Sequence, residues 1–324
     1  MAYSNNQLVE QWAQDQLTDT PDDRAALRAV SRLCEFDVSR HDNEDDNAIH
    51  GMSTADRYLG AMRQVSEAMR AWDDRADGTR NGIGKLTVTQ GNQVLEQLSG
   101  DYEQKSLNLM TRAVELHLRN LHNDPSIKLD RCQSEIPTIT TSRAYTDNQT
   151  RLLMNNATER LSLSIEIARS CGLRAAGLHE IRRLDERGPT ARRYPENSYK
   201  ERDGYQTYTV SEKGGLVRPI FIKDELAARL EATRLDTPRT VYDRDRLIKD
   251  HYELIGGNRF SSSITRLSNN VLGYSNGAHG LRHSFAQQRM TVLQNSGLSR
   301  NDAKLQLSRE LGHFRASIVD AYLR

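Results

Sequence analysis

The chain of 324 residues is long enough for two domains with separate hydrophobic cores, and its composition, 36% hydrophobic and 27% charged, is that of an ordinary globular protein. No run of about 18 apolar residues occurs and the first residues lack a secretory pattern, so neither a membrane-spanning nor an exported protein is predicted. Three distant cysteines, Cys34, Cys132 and Cys171, share no metal-ligand spacing and predict reduced thiols in a cytoplasmic protein.

The formal net charge of +1 conceals an asymmetry along the chain. Residues 1–136 contain 15 Lys and Arg against 23 Asp and Glu, a net charge of −8, whereas residues 137–324 contain 30 against 21, a net charge of +9. Most of the acidity lies in residues 1–46, with 4 basic and 11 acidic residues. A basic C-terminal half indicates an anionic partner, and nucleic acid is the first candidate.

The N-terminal half is predicted to be helical, because its apolar residues recur every three to four positions. Ser53 and Thr54 are the predicted N-terminal caps of the longest helix. Pro125 and Pro137 punctuate a polar connection, which predicts a domain boundary between about residues 123 and 140. The predicted helices lie at about 8–17, 27–36, 53–72, 86–100 and 106–121, with an acidic linker over 41–51.

The C-terminal half is predicted to begin with helices over 146–155 and 157–170. One later segment departs from the helical pattern: YQTYTV (205–210) alternates, SEKGG (211–215) is a turn and LVRPIFI (216–222) is a second strand, so these residues predict a β-hairpin. Helical spacing then resumes at 223 and continues, with gaps, to the end. The predicted fold class is therefore mainly α with a small β-hairpin, an α+β protein.

Residues 277–286, GAHGLRHSFA, carry the first candidate chemistry. His279 and Arg282 are three residues apart, so a helix would present both to one ligand. The planar fork of an arginine suits phosphate oxygens, and a histidine can bind the same group or move a proton near neutral pH. Taken alone, however, His279 is better explained as a capping or core histidine and Arg282 as a surface cation.

Three further short motifs accompany this segment. CGLR (171–174) places Arg174 just after a glycine at a helix junction, and Lys213 lies at the tip of the predicted hairpin. ELGH (310–313) ends in His313, and Tyr322 follows nine residues later on a predicted terminal helix. Each of these residues has an ordinary structural explanation when it is considered singly.

In their order along the chain, these motifs resemble those of the tyrosine recombinases, the phage-integrase-like DNA recombinases. The resemblance covers roughly residues 137–324, and more faintly 47–124. CGLR supplies Arg174, EKGGLVRPI supplies Lys213, HGLRHSFA supplies His279 and Arg282, ELGH supplies His313, and the spacing places Tyr322 at the nucleophile position. The resemblance implies a helical core-binding domain followed by a tyrosine-recombinase catalytic domain, with an acidic N-terminal extension. The predicted domains are 1–46, 47–130 and 137–324.

The resemblance implies a role for each motif residue, with no metal and no cofactor. Arg174, Arg282 and His313 would hold a DNA phosphate, and His279 would assist proton transfer and orientation. Lys213 would be the general acid for the leaving oxygen, and Tyr322 would attack and become 3′-linked to DNA. A phosphotyrosine keeps the energy of the broken phosphodiester, so that rejoining needs no ATP.

The implied partners are double-stranded DNA recombination sites and further copies of the chain. The protein would be a homotetramer on DNA and a monomer or weak oligomer without it, in the bacterial cytoplasm, with accessory DNA-bending or directionality factors. It would integrate and excise a mobile element. Candidate base-reading residues lie in RFSSSITRLSNNVLG (259–273), where a solvated helix face is an equally good explanation: Arg259, Arg266, Asn269 and Asn270.

Two features depart from the family pattern or remain ambiguous. The family commonly has an acidic residue three positions after the first arginine, where this chain has Gly177; Glu180 or Asp185 could replace it. His283 forms an i,i+4 pair with His279, but no third ligand is evident, so we interpret it as a packing residue. A catalytically weakened DNA-binding protein of the same fold and an enzyme resembling type IB topoisomerases therefore remain alternatives.

Overall fold

The computed structural model describes residues 5–16, 21–35, 48–73, 82–137, 141–194, 202–211, 215–243 and 246–324. The chain divides into two compact units, Met1–Ile139 and Thr140–Arg324. The first unit contains one hydrophobic core cluster and the second contains two. The division of the chain into predicted domains 1–46, 47–130 and 137–324 stays a prediction.

The first unit is helical over its described residues. Its helices share one core, in which Trp12 and Val30 lie together with Met62 and Val114. The indole of Trp12 also donates a hydrogen bond to Asp56 (2.8 Å), so the N-terminal helices are packed onto the longest one. That longest helix begins at Met52, which places the predicted caps Ser53 and Thr54 inside its first turn. The helices are α1 (Asn5–Asp15), α2 (Pro21–Ser31), α3 (Met52–Asp73), α4 (Val88–Leu98) and α5 (Gln104–His122).

The second unit is mainly α with small antiparallel sheets, which confirms the predicted fold class. Its helices are α6 (Asp147–Asn155), α7 (Glu159–Cys171), α8 (Asp224–Glu231), α9 (Gly257–Leu272), α10 (Gly277–Asn295) and α11 (Arg300–Glu310). Its strands are β1 (Arg182–Arg183), β2 (Tyr205–Ser211), β3 (Val217–Lys223), β4 (Arg234–Asp243) and β5 (Arg246–Tyr252). Two 3₁₀ turns in this unit, Ala175–His179 and Ala316–Ala321, follow α7 and α11.

The predicted hairpin is present as β2 and β3, which pair from Tyr205↔Lys223 to Ser211↔Val217, with β1 on the other edge of β2. The helical spacing predicted to resume at 223 and continue, with gaps, to the end was wrong for 234–252, where β4 and β5 form a second hairpin. Pro238 disfavours a helix there. Most of β4 is exposed on both faces, so the sequence lacks the period-2 alternation that marks a half-buried strand.

The end of α7 determines where Arg174 lies. Gly172 ends this helix in the left-handed conformation (φ +57°), which a residue with a side chain adopts only under strain. A Cβ at Gly172 would also lie 2.4 Å from the ring of Phe285 on α10, so only glycine permits this close approach. The chain therefore leaves α7 directly beside α10, with Arg174 at the start of the following 3₁₀ turn.

The segment after α11 carries His313 and Tyr322. Gly312 and Phe314 both have positive φ, and the Phe314 ring packs 5.4 Å (centroid to centroid) from that of Tyr194. The hydroxyl of Ser308 donates to the Arg315 carbonyl (2.8 Å), which closes the loop. Tyr322 directly follows Ala316–Ala321, so the predicted terminal helix is present as a 3₁₀ helix that ends just before Tyr322.

None of the helices in the described part of the chain is long and apolar enough to cross a membrane.

Candidate active site

Four of the other five motif side chains lie around the phenol of Tyr322. Arg282 donates a hydrogen bond from Nε to Tyr322 Oη (3.3 Å), and His313 Nε2 lies 3.2 Å from the same oxygen. The guanidinium groups of Arg174 (3.3 Å) and Arg282 (3.4 Å) both reach His313 Nε2. Because a guanidinium can only donate, His313 Nε2 is the accepting nitrogen in this arrangement. The ring of His279 lies 5.5 Å from that of Tyr322, measured between centroids.

Arg282 is fully buried, and backbone carbonyls hold it in place. Its Nη1 donates to the carbonyl of Gly172 at the end of α7, and its Nη2 donates to the carbonyl of Leu311 just after α11. These bonds leave Nε directed at Tyr322, whose ring centroid is 5.6 Å from the guanidinium carbon. The ends of two helices therefore orient one planar cation toward the phenol.

His279 and His283 form one side of the site on the first turns of α10. Their ring centroids are 5.3 Å apart, and the buried His283 ring packs 4.9 Å from that of Tyr322. Burial, and then the charge of Arg143, lower the pKa of His283. Its Nδ1 has no hydrogen-bond partner among the described residues. Over the same part of the chain, no group of three or more His, Cys, Asp and Glu side chains is arranged to hold a metal ion.

Displacement of water by surrounding protein atoms, followed by nearby positive charges, lowers the pKa of His279 to about 4. Among these charges, that of Arg282 lowers the pKa of His279 most, followed by those of His283, Arg143 and Arg174. The His279 imidazole is therefore neutral at pH 7 in the free protein.

We expect the His279 ring in the free protein to titrate with an apparent pKa near 4, because burial and then several nearby cations disfavour its protonated form. The measurement is an NMR titration of the histidine C2 protons, and His279→Gln assigns the signal by its loss. A midpoint at or above 6.5, the value for an unperturbed histidine, would contradict the cationic environment described above.

A segment that the motifs do not include lies across α10 beside these histidines. The carbonyl of Tyr145 accepts a hydrogen bond from the Ser284 hydroxyl (2.7 Å), and Gln287 donates to the Ser142 hydroxyl (3.2 Å). A Cβ at Gly280 would lie 2.8 Å from the Arg143 carbonyl oxygen, so glycine is needed where this segment crosses α10. The segment therefore places Arg143, which no sequence motif marks, next to the candidate site.

A buried ion cluster lies at the end of α11, next to the candidate site. The Glu310 carboxylate is 3% exposed and accepts hydrogen bonds from Arg289 (2.9 Å) and Arg202 (2.7 Å). The Glu310 carbonyl accepts another from Arg218 (2.7 Å), which also donates to the carbonyl of Gly172 (3.3 Å). Glu310 thus fixes the end of α11, directly before the carbonyl that holds Arg282 and the loop that carries His313.

No protein-family model and no curated protein matches the sequence. Solved structures are similar to this chain over nearly its whole length. XerH site-specific recombinase in a post-cleavage complex with palindromic difH substrate is 15% identical, with a TM-score of 0.54 over 98% of this chain and 90% of that one. A dimer of lambda integrase (residues 75–356) bound to a COC′ core site is 15% identical, with a TM-score of 0.53 over 93% of this chain and 95% of that one. A lambda integrase tetramer bound to a Holliday junction is 14% identical, with a TM-score of 0.53 over 96% and 80%.

The chain has the tyrosine-recombinase fold. The likeness at 14–15% identity establishes the fold, and the roles of individual residues rest on the geometry described above. The site occupies the second unit, and its residues come from the start of the 3₁₀ turn after α7, from α10 and from the segment after α11.

Two other sequence predictions within this fold concern residues near the first arginine and at the hairpin tip. Gly177 is buried in the 3₁₀ turn after Arg174. The Glu180 carboxylate accepts a hydrogen bond from Arg187 (3.1 Å), and Asp185 is exposed. Lys213 lies outside the described residues, so its predicted role stays a prediction.

The four candidate base-reading residues lie on α9 and are exposed. Three of them, Arg266, Asn269 and Asn270, line a shallow groove with small hydroxyl side chains from Ser261, Ser262 and Thr265. Arg259 lies nearer the start of the same helix. Amide, hydroxyl and guanidinium groups on an exposed helix are suited to base edges, and base reading by these residues stays a prediction.

Proposed function

We propose that this protein is a site-specific DNA recombinase that cleaves and rejoins DNA through a 3′-phosphotyrosine intermediate. The observation that carries the proposal is the contact of Arg282 and His313 with the hydroxyl of Tyr322, with Arg174 bound to the same His313 nitrogen. A phenol beside two arginines, in a half of the chain with a net positive charge, suits attack on a phosphodiester.

The proposed reaction begins with a DNA phosphate entering beside Tyr322. The guanidinium groups of Arg174 and Arg282, and His313 once its Nε2 carries a proton, donate to the nonbridging oxygens and stabilise the negative charge that grows in the transition state. This stabilisation is needed because a free tyrosine has a pKa of about 10 and is a poor nucleophile when neutral.

The bond changes then balance without a further reactant. Tyr322 Oη forms a bond to phosphorus as the bond from phosphorus to the 5′ oxygen breaks. Neutral His279 assists proton transfer by accepting the phenolic proton, and Lys213 supplies a proton to the leaving 5′ oxygen. Attack of a 5′ hydroxyl on the phosphotyrosine reverses these steps and rejoins the DNA.

The proposed substrate is a pair of double-stranded DNA sites, and the proposed assembly is a homotetramer acting in the cytoplasm. XerH and lambda integrase are DNA-bound in their solved structures, and lambda integrase is a tetramer on a Holliday junction. The charge of +9 in residues 137–324 provides the electrostatic attraction that DNA binding requires. Integration and excision of a mobile element, with accessory DNA-bending factors, complete the proposal.

We expect the wild-type protein to form a covalent complex on a suicide substrate, a duplex with a nick beside the cleavage site. Cleavage releases the short fragment that carries the 5′ hydroxyl, and its loss at the nick prevents rejoining. The covalent complex therefore accumulates and survives denaturing electrophoresis. Tyr322→Phe should bind the same DNA with nearly unchanged affinity and form no covalent complex, because it lacks only the nucleophilic oxygen. The DNA site can be found from the repeats that flank the gene.

The same assay separates the two alternatives. A protein that binds its true site tightly but forms no covalent complex would be an architectural or regulatory DNA-binding protein, which the glycine at position 177 favours. Covalent complexes and relaxation of supercoils without any exchange of strands between duplexes would instead indicate an activity like that of type IB topoisomerases.

A further inference from the structure

We propose that Arg143 binds the DNA backbone at the phosphate next to the one that Tyr322 attacks, and that it is a substrate-binding residue outside the recognised motifs. This inference rests on the proposed function for the identity of the ligand. Arg143 belongs to none of the motifs, and the sequence predicts no role for it.

The position of Arg143 is determined by the contacts of its neighbours. Ser142 accepts a hydrogen bond from Gln287, and the carbonyl of Tyr145 accepts one from Ser284. The hydroxyl of Tyr145 also accepts from the backbone N–H of Asn276 (2.9 Å), just before α10. The segment is therefore attached to α10 on both sides of Arg143, and its backbone position does not depend on the arginine side chain.

Arg143 faces the histidines of the site. Its carbonyl oxygen packs at Gly280, between His279 and Arg282 in the sequence. Burial is the largest cause that lowers the pKa of His279 and His283, and the positive charge of Arg143 lowers it further at both rings. Arg174 and Arg282 instead contact His313, and Arg282 also donates to Tyr322 itself, so Arg143 adds a cation at a second edge of the same site.

The guanidinium of Arg143 is available to a ligand. The residue is exposed, and no hydrogen bond or ion pair joins its side chain to another described residue. Placing this cation beside the histidines and other arginines costs free energy through like-charge repulsion until an anion arrives. Consecutive phosphates along one DNA strand are about 3.4 Å apart along the helix axis, so a strand whose scissile phosphate lies at Tyr322 presents another phosphate nearby.

The test is DNA binding by Arg143→Gln in a Tyr322→Phe background, which prevents cleavage. Loss of one phosphate contact should reduce the slope of log K against log salt by about 0.9. The ratio of parent to variant affinity should therefore change by about eightfold between 0.1 M and 1 M salt. The matched control is Arg229→Gln, which removes an arginine that already pairs with Glu166 (2.6 Å) and should leave the slope unchanged.

Methylphosphonate substitution, which removes the charge of one phosphate at a time, identifies the contact. We expect Arg143→Gln to weaken binding to ordinary DNA but not to DNA whose neutral linkage is next to the scissile phosphate. An unchanged salt slope, or an equal loss of affinity on every methylphosphonate duplex, would overturn the assignment.

A third measurement on the free protein does not involve DNA. Arg143→Gln should raise the pKa of His279 in the NMR titration, because it removes one of the cations that lower it. An unchanged titration would show that the guanidinium does not face this histidine and would overturn the inference. Failure of the proposed function gives a different result, namely no covalent complex with wild-type protein while the phosphate-specific loss in Arg143→Gln persists.

Discussion

Replacing Arg282 with lysine is expected to slow DNA cleavage by about 100- to 1,000-fold, the usual effect of removing one donor that stabilises transition-state charge. Arg282 is 0% exposed and donates to two backbone carbonyls while its Nε reaches Tyr322 Oη. A lysine ammonium keeps the positive charge but is a single point that cannot satisfy both carbonyls and also face the phenol. The measurement is the single-turnover rate of covalent complex formation with the suicide substrate at saturating protein.

Arg182→Lys is the matched control for this experiment. Arg182 is also a buried arginine (9% exposed) that donates to backbone carbonyls, those of Ile181 (2.7 Å) and Lys249, but it does not belong to the candidate site. We expect Arg182→Lys to affect stability and to leave the rate of a correctly folded sample within a few-fold of wild type. If Arg282→Lys, shown to be folded by circular dichroism, cleaved at the wild-type rate, Arg282 would not be the phosphate-stabilising group.

Replacing Glu310 with alanine is expected to lower the free energy of unfolding of the second unit by about 3–5 kcal/mol. The Glu310 carboxylate is 3% exposed, and its partner Arg289 is 5% exposed. Both Arg289 and Arg202 pair with this carboxylate. Without it, two largely buried guanidinium groups lie close together with no negative charge from Glu310 to balance them. The measurement is urea unfolding followed by a signal that reports on this unit.

The control for Glu310 is Glu166→Ala, the same substitution in a solvent-exposed ion pair. Glu166 and Arg229 are 30% and 52% exposed, so their pair is worth less than about 1 kcal/mol. Removing both charges in Glu310→Leu/Arg289→Leu should restore part of the stability that Glu310→Ala loses, because one buried cation is removed with the carboxylate. Equal losses for Glu310→Ala and Glu166→Ala would show that the cluster does not stabilise the end of α11.

Local patterns in the sequence predicted most of the helices and the first hairpin. Apolar periodicity predicted α6 and α7 to within a few residues of their ends. A helix with one buried face has apolar residues three and four positions apart, so a short stretch of sequence is enough to reveal it. The β-rich segments on either side of the SEKGG turn likewise predicted β2 and β3, whose central residues are buried in both strands. The second hairpin was missed because β4 is mostly exposed and its residues carry no such alternation.

By itself, then, the sequence determined the fold class, the order of the motif residues and the resemblance to tyrosine recombinases, because motifs and periodicities are properties of neighbouring residues. Only the tertiary structure decided the contacts that no motif implies. Even for Arg174 and His313, which the resemblance assigns to one phosphate, the contact itself comes from the fold: the residues are 139 apart in the chain, and their side-chain nitrogens lie 3.3 Å apart. The placing of Arg143 beside His279 and of Glu310 among buried arginines depends on how α7, α10 and α11 pack. Such contacts join residues far apart in the chain, so no spacing or local pattern in the sequence encodes them.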